Sequence, residues 1–230
     1  MTEEQWLTAK TIQDLDLWRT ANKRFRKHRL FAAACCQRAV TLVADKRLDL
    51  IVVAAEDFAD EQLSWDQIKK VRKTLAAIRR EFATDRFGPK ESLGDAVEAL
   101  TEATDREPGG SFGAHTKAKF AFGASARHSI DFNEMERRWQ LEESVQILLA
   151  FDIFGNPFRP VAFDPNWQTS TAVGIARTMY DARDFGAMPI LADALQDAGC
   201  EDDAILNHCR DAKQVHVRGC WVVDLVLGKS

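Results

Sequence analysis

Apolar side chains recur at steps of three and four residues through most of this chain, and that spacing constrains its fold more than any other feature. The clearest case follows Ser64 and Gln67, which form a capping box and so predict the start of a helix. The apolar positions that follow are Ile68, Val71, Leu75, Ile78 and Phe82. Because residues three and four apart share one helix face, the segment predicts a helix that packs along a neighbour.

The same spacing predicts helices on both sides of this segment. We expect them over 2–20, 30–43, 48–58, 92–104, 118–126, 133–154, 171–183, 189–198 and 201–209, with 221–227 as either helix or strand. In 133–154 we expect the inward-facing residues to be Leu141, Val145, Leu148 and Ile153. The predicted fold class is mainly α, a multi-helix array in two packed helical halves. An α+β fold with a few short strands is the alternative, since 50–53 is also typical of a buried strand.

Gly and Pro residues predict where the array divides. Residues 107–117 contain Pro108 and three glycines and predict a linker. We therefore expect an N-terminal helical half over 1–106 and a C-terminal half over 118–230. Within the second half, the prolines of 154–167 predict a structured loop, because proline cannot continue a helix there.

The composition excludes several classes of protein. Hydrophobic residues make up 46% of the 230 residues and the formal net charge is −4, which is typical of a globular protein and not of a disordered or polyanion-binding one. Glu3 and Glu4 stand where a secretory signal would carry positive charge, and no apolar run reaches the roughly 20 residues of a membrane span. We expect a cytoplasmic protein whose five cysteines are thiols or metal ligands.

Three parts of the sequence together resemble a known family. They are RLFAAACCQR at 29–38, IFGNPFRPV at 153–161, and PILADALQDAGC with HVRGCWVVDLVLGK between 189 and 229. They resemble a family of uncharacterised bacterial proteins typical of planctomycete genomes. The family has no assigned activity, so the resemblance implies no catalytic or binding residue. Residues 189–199 are also similar to short helical companion repeats beside larger domains in these bacteria, which implies an interaction role.

The densest group of metal-ligand residue types lies in the last 31 residues. It consists of Cys200, His208, Cys209, His216 and Cys220. Zinc prefers four thiolate or imidazole ligands in a tetrahedron, so the group predicts a possible zinc site. The spacing lacks a C-x-x-C knuckle, and the adjacent His208 and Cys209 should point apart on a helix. The alternative interpretation is that the cysteines are small buried hydrophobic residues and the histidines lie near helix ends.

A second hypothesis for the same region is a cysteine hydrolase. Gly219, Cys220 and Trp221 could place a thiol at a helix N-terminus, where the dipole lowers its pKa, with His216 as its base. Gly-Cys-Trp is similar to the nucleophile region of papain-type proteases. Here the cysteine lies at the far C-terminal end, and the sequence names no orienting Asn or Asp.

Two further features are candidates for binding. The basic residues Lys23, Arg24, Arg26, Lys27 and Arg29 surround Phe25 and could bind phosphate in a nucleic acid. The alternative is that they face solvent or pair with acidic residues of neighbouring helices, which the mild negative charge favours. Arg159 and Trp167, in the Pro-containing loop, are residue types typical of protein interfaces, although Trp167 could equally fill the core.

Glycine-rich phosphate loops, H-E-x-x-H and G-x-S-x-G motifs are absent from the sequence. We therefore expect a noncatalytic protein-interaction or accessory module whose partner is a protein, not a nucleic acid or a membrane. A zinc-stabilised domain using the C-terminal group and a cysteine hydrolase using Cys220 and His216 are the alternatives.

Overall fold

A computed structural model describes residues 1–15, 17, 25–43, 45–81, 91–107, 113–127 and 132–229. Within these ranges the regular structure is helical, which confirms the mainly α fold class. The α-helices are α1 Glu3–Leu7, α2 Phe25–Val40, α3 Lys46–Ala59, α4 Trp65–Glu81, α5 Glu91–Ala103, α6 Ala114–Arg127, α7 Phe132–Phe154, α8 Ser170–Ala182, α9 Met188–Asp197, α10 Asp203–Arg210 and α11 Trp221–Leu227. Residues 50–53 and 221–227, for which a strand was the alternative, are both helical.

The N-terminal helix is shorter than the 2–20 predicted. α1 ends at Leu7, and a 3-10 turn follows over Gln13–Leu15. The Asp14 carboxylate accepts hydrogen bonds from the backbone N–H groups of Lys10 (3.0 Å) and Thr11 (2.8 Å). This local capping offers the backbone an alternative to continuing the helix. Residue 16 and residues 18–20 lie outside the described residues.

The chain divides into two compact units, and the first contains Met1 and Gln5–Ile147. Its central helix is α2, which packs against α3, α5 and α6, while α4 packs against α3 and α5. Small side chains let the neighbours of α2 approach closely, because Ala32, Ala33, Cys35, Cys36 and Ala39 are fully buried. The predicted capping box opens α4: Ser64 N–H donates to Gln67 Oε1 at 2.8 Å, and Gln67 N–H donates to Ser64 Oγ at 3.4 Å.

The second unit contains Thr2–Glu4 and Leu148–Ser230. In it α8 packs against α9 and α11, and α10 packs against α9 and α11. Its core includes Met179, Leu191, Leu195, Ile205 and Val223. Each fully buried side chain of this size contributes about 1.5 to 3 kcal/mol through removal of apolar surface from water.

The two compact units divide at a different place from the two predicted halves. Helix α6 begins at Ala114, inside the predicted linker, and α5 and α6 pack against each other within the first unit. The boundary between the units falls instead inside α7, after Ile147. Residues 108–112 of the predicted linker lie outside the described residues.

The buried face of α7 differs from the one predicted. Leu141 is 53% exposed and Leu148 is 37% exposed, whereas Ile153 is buried as expected. The face that is buried instead carries polar side chains at Glu142 and Gln146. Hydrophobic spacing alone could not find this face, because two of its positions are occupied by residues that are buried through hydrogen bonding and not through apolar character.

Within the described residues, no helix combines the length and the apolar character that crossing a bilayer would demand.

Candidate metal centre

Asp152 lies in the last turn of α7 and has no exposed side-chain surface. The helix stops two residues later, where Gly155 adopts a left-handed φ of 63° and its N–H donates to the Phe151 carbonyl. This end places the Asp152 carboxylate against the C-terminal region of the chain. Its Oδ1 atom lies 2.8 Å from His216 Nδ1 and 3.1 Å from His208 Nε2, while Oδ2 accepts from Val217 N–H at 2.9 Å.

His208 is positioned by α10. Asp202 caps that helix by accepting hydrogen bonds from the N–H groups of Ala204 and Ile205, which fixes where its first turn begins. The His208 ring packs 5.0 Å from the Trp221 ring and 4.9 Å from the His216 ring, centroid to centroid. Its side chain is 11% exposed and borders an open groove of about 460 Å³. The imidazole is therefore fixed in orientation and only slightly exposed to solvent.

His216 and Cys220 come from a tight turn that precedes α11. The Cys220 N–H donates to the Val217 carbonyl at 2.9 Å, and the Cys220 carbonyl accepts from Asp224 N–H at 2.9 Å. Cys220 is thus both the end of the turn and the N-cap of α11. Its Sγ lies 3.2 Å from His208 Nε2 and 3.9 Å from His216 Nδ1.

Four donor atoms therefore converge, one each from Asp152, His208, His216 and Cys220, and all lie within 4.8 Å of one another. For bonds of about 2.0 to 2.3 Å to a central ion, the donors of a tetrahedral site lie roughly 3.3 to 3.8 Å apart. The imidazole nitrogens lie 2.8 and 3.1 Å from the carboxylate oxygen and 3.2 and 3.9 Å from the sulfur, so three of these separations are slightly shorter than that range and one is slightly longer. One oxygen, two nitrogens and one sulfur at these distances form a set that can hold a small divalent metal ion.

The electrostatics of the group follow from its burial. Burial raises the pKa of Asp152, but the hydrogen bonds and the charges of His208 and His216 together lower it by more, so the carboxyl group ionises more readily than usual. Burial, followed by the nearby negative charge of Asp152, raises the pKa of the Cys220 thiol well above its ordinary value. Without a cation, the thiol is protonated at neutral pH.

The structure brings together three of the five residues in the predicted group. His208, His216 and Cys220 converge, whereas Cys200 and Cys209 lie in the apolar core of the second unit and are not part of the converging set. Burial raises the pKa of Cys209 to about 12. As the spacing indicated, the neighbours His208 and Cys209 point in different directions, one to the site and one to the core.

The fourth member, Asp152, was not predicted. It is the one charged residue in the otherwise apolar stretch 147–154. That charge was the available signal, because an isolated carboxylate in an otherwise apolar helical segment needs a partner when it is buried. Its partners lie 56 and 64 residues further along the chain, so spacing could not name them.

The basic run does not form an exposed phosphate-binding patch in the described residues. Helix α2 begins at Phe25, and Lys27 and Arg29 are buried within it. The Arg29 guanidinium lies 4.0 Å and 3.9 Å from the ring centroids of Phe25 and Phe58 and donates to two backbone carbonyls. Arg26 pairs with Asp60 at 2.7 Å. Pairing with neighbouring helices was the alternative interpretation, and these contacts support it. Lys23 and Arg24 lie outside the described residues.

The two predicted interface residues of the Pro-containing loop have different surroundings. Trp167 is half-buried, packs against the core of the second unit and meets the Phe163 ring edge to face at 5.3 Å. The side chain of Arg159 is 76% exposed and forms an ion pair with Glu3 at 2.5 Å. Glu3 also accepts from the Asn156 amide at 2.8 Å, so it attaches the N-terminal residues of this unit to the loop.

Comparison of the chain with protein-family models, with curated proteins and with solved structures finds no match in any of the three. The resemblance to the planctomycete-type family stays a prediction.

Proposed function

We propose that this protein is a noncatalytic module whose C-terminal unit is stabilised by one zinc ion, bound by Asp152, His208, His216 and Cys220. The observation that carries the proposal is that each imidazole directs the same nitrogen toward both the carboxylate and the sulfur. Four donor atoms within 4.8 Å of one another, from residues up to 68 positions apart, are what a bound cation requires.

The donor chemistry favours zinc among divalent ions. Ca²⁺ and Mg²⁺ prefer six or more oxygen ligands, and only one of the four donors here is an oxygen. Imidazole and thiolate ligands in a four-coordinate site are the set that zinc prefers in proteins. A bound cation would also lower the pKa of Cys220 and stabilise the thiolate that burial otherwise disfavours.

A structural role is favoured over a catalytic one. Catalytic zinc sites keep one position open for water or substrate, whereas the four protein donors here are enough to fill a four-coordinate site. Asp152 and Cys220 have no exposed surface, and the side chains of His208 and His216 are only 11% and 8% exposed. A substrate would have little access to an ion held at that depth.

The geometry gives less support to the cysteine hydrolase. In a nucleophile–His–Asp arrangement the imidazole uses one nitrogen for the nucleophile and the other for the carboxylate. Here His216 uses Nδ1 for both Cys220 and Asp152. Cys220 is also fully buried with a raised pKa, the opposite of an activated thiol.

A protein-interaction role for the module stays a prediction. Of the two residues named for it, Arg159 has the exposed side chain and Trp167 contributes to the core.

The test is a zinc titration of the metal-free protein, prepared without a histidine tag and followed by thermal unfolding. Zinc binding to the folded state should raise the unfolding free energy by RT ln(1 + [Zn²⁺]/Kd), about 2.7 kcal/mol at a hundredfold excess over Kd. Cys220→Ala should abolish the response. Cys209→Ala is the matched control, because it removes another buried thiol of the same unit and should preserve it. A melting temperature that zinc leaves unchanged in the parent protein contradicts the proposal.

A further inference from the structure

The turn over 216–220 has a defined geometry. It is closed by the hydrogen bond from Cys220 N–H to the Val217 carbonyl at 2.9 Å, with Arg218 and Gly219 at the two central positions. Gly219 has a φ of 96°. A positive φ at the third of four residues is typical of a type II turn, and glycine is the residue that adopts it without steric cost.

The same turn determines how the ligands face one another. It holds His216 and Cys220 four residues apart with their donor atoms 3.9 Å from each other. Its backbone also contacts the third ligand, because Val217 N–H donates to Asp152 Oδ2 at 2.9 Å. That hydrogen bond occupies Oδ2, so Oδ1 is the carboxylate oxygen that faces the two imidazoles.

We infer that Gly219 is a positioning residue for the metal centre, and that the turn over 216–220 holds its own two ligands, His216 and Cys220, against the Asp152 carboxylate before the ion binds. The inference rests on the proposed zinc site. Gly219 itself contributes no donor atom. It acts by allowing the backbone path that brings the Cys220 sulfur and the His216 imidazole to the Asp152 carboxylate.

Adding a side chain at residue 219 should affect zinc affinity more than it affects the fold. A Cβ at residue 219 disfavours the left-handed conformation, so the turn must open or rotate to relieve it. Either movement shifts Cys220 relative to His216 and weakens the Val217 contact to Asp152. Loss of a group that orients metal ligands typically costs about 10- to 100-fold in metal affinity.

The experiment compares Gly219→Ala with Gly228→Ala by competition for zinc against a chelating dye. Gly228 is the matched control because it lies in the same unit, has a φ of 64° in the same left-handed region, and has nothing within 4 Å of an added Cβ. Both variants should unfold more easily in the absence of metal. Only Gly219→Ala should bind zinc about 10- to 100-fold more weakly than the parent.

Gly219→Asn extends the test. Asparagine tolerates the third position of a type II turn better than alanine, so it should restore much of the zinc affinity. It also serves as the variant to measure if Gly219→Ala does not fold. Zinc affinities that are equal in the parent, Gly219→Ala and Gly219→Asn overturn the inference and leave the zinc site standing. A parent protein that does not bind zinc removes both.

Discussion

Asp152 is the residue on which the metal centre depends most. A carboxylate without exposed surface is costly unless its charge is compensated, and here two imidazoles and one backbone N–H face it. A cation between the carboxylate and Cys220 would supply further compensation.

Asp152→Asn should lower zinc affinity by about 100-fold or more, because it replaces an anionic ligand with a neutral amide. At saturating zinc this corresponds to about 3 kcal/mol less stabilisation on the unfolding free energy. Isothermal titration with zinc and denaturant unfolding measure the two effects. Asp164→Asn, an exposed cap of the 3-10 turn over 165–167, is the control and should keep the parent affinity. Equal affinities in both variants would show that the carboxylate is not a ligand.

The five cysteines should be slow to alkylate. All five are buried, and burial raises the pKa of Cys36, Cys209 and Cys220. Iodoacetamide at near-neutral pH, with each site followed by mass spectrometry, should modify none of them quickly in the folded protein. Unfolding in denaturant is the positive control. Selective rapid labelling of Cys220 would contradict this expectation and support the cysteine hydrolase hypothesis.

At the residue scale, the sequence predicted the metal ligands that can be recognised from residue type alone. His208, His216 and Cys220 were found because imidazoles and thiols are the ligands that zinc prefers. Cys200 and Cys209 were included for the same reason and belong to the core, since spacing does not distinguish a ligand from a buried hydrophobic cysteine. Asp152 was missed because its role is set by a contact across more than 50 residues.

At the scale of elements, helix α7 shows how polar residues can be part of a buried face. The Arg38 guanidinium of α2 binds Glu142 through both carboxylate oxygens at 2.7 to 3.0 Å, and the Gln146 amide donates to the His115 carbonyl at 3.1 Å. Glu142 and Gln146 are almost completely buried. The hydrogen bonds of the Glu142 carboxylate and of the Gln146 amide nitrogen help explain why α7 buries a face that apolar spacing did not identify.

Glu142 should make the stability of the protein depend on pH. Burial raises the pKa of Glu142 above 4.5, and the Arg38 contacts lower it by less. A raised pKa means that the folded state holds the proton more tightly, so this stabilising contribution is complete below about pH 4.5 and is lost as the pH rises through the folded-state pKa. Relative to Glu142→Gln, the parent should therefore lose stability as the pH rises above about 4.5. Urea unfolding at several pH values measures the difference in unfolding free energy between the parent and Glu142→Gln. A parent that becomes more stable relative to Glu142→Gln as the pH rises would contradict a raised pKa of Glu142.

Two helix glycines should respond to alanine in opposite directions. A Cβ on Gly123 of α6 would overlap the indole of Trp139 in α7, whereas one on Gly94 of α5 meets nothing within 4 Å. Gly123→Ala should destabilise the protein by about 1 to 3 kcal/mol through overpacking. Gly94→Ala should stabilise it by about 0.5 to 1 kcal/mol through helix propensity. Urea unfolding tests both, and a stable Gly123→Ala protein would refute the close approach of α6 and α7.

Most helices were predictable from local signals. The capping box of Ser64 and Gln67 and the early proline of α9 each mark an observed helix start. What the sequence could not provide was the choice between helix and strand for short apolar runs such as 221–227. Length and periodicity do not separate the two when the segment is this short.

At the scale of the whole molecule, the boundary between compact units was the hardest feature to predict. Glycine and proline in 107–117 suggested a division, but α5 and α6 pack together across that segment. The observed division falls within α7, a continuous helix with no composition signal. Contacts define compact units, and a helix can contribute to two of them without any break in its periodicity.

The most direct test of the account is the metal content of the protein purified without a histidine tag and without chelators, measured by inductively coupled plasma mass spectrometry. We expect about one zinc per chain in the parent protein and in Cys209→Ala, with zinc lost from Cys220→Ala, because one site with four protein donors binds one ion. Parent protein that holds no more zinc than Cys220→Ala, after growth in zinc-supplemented medium, would contradict it.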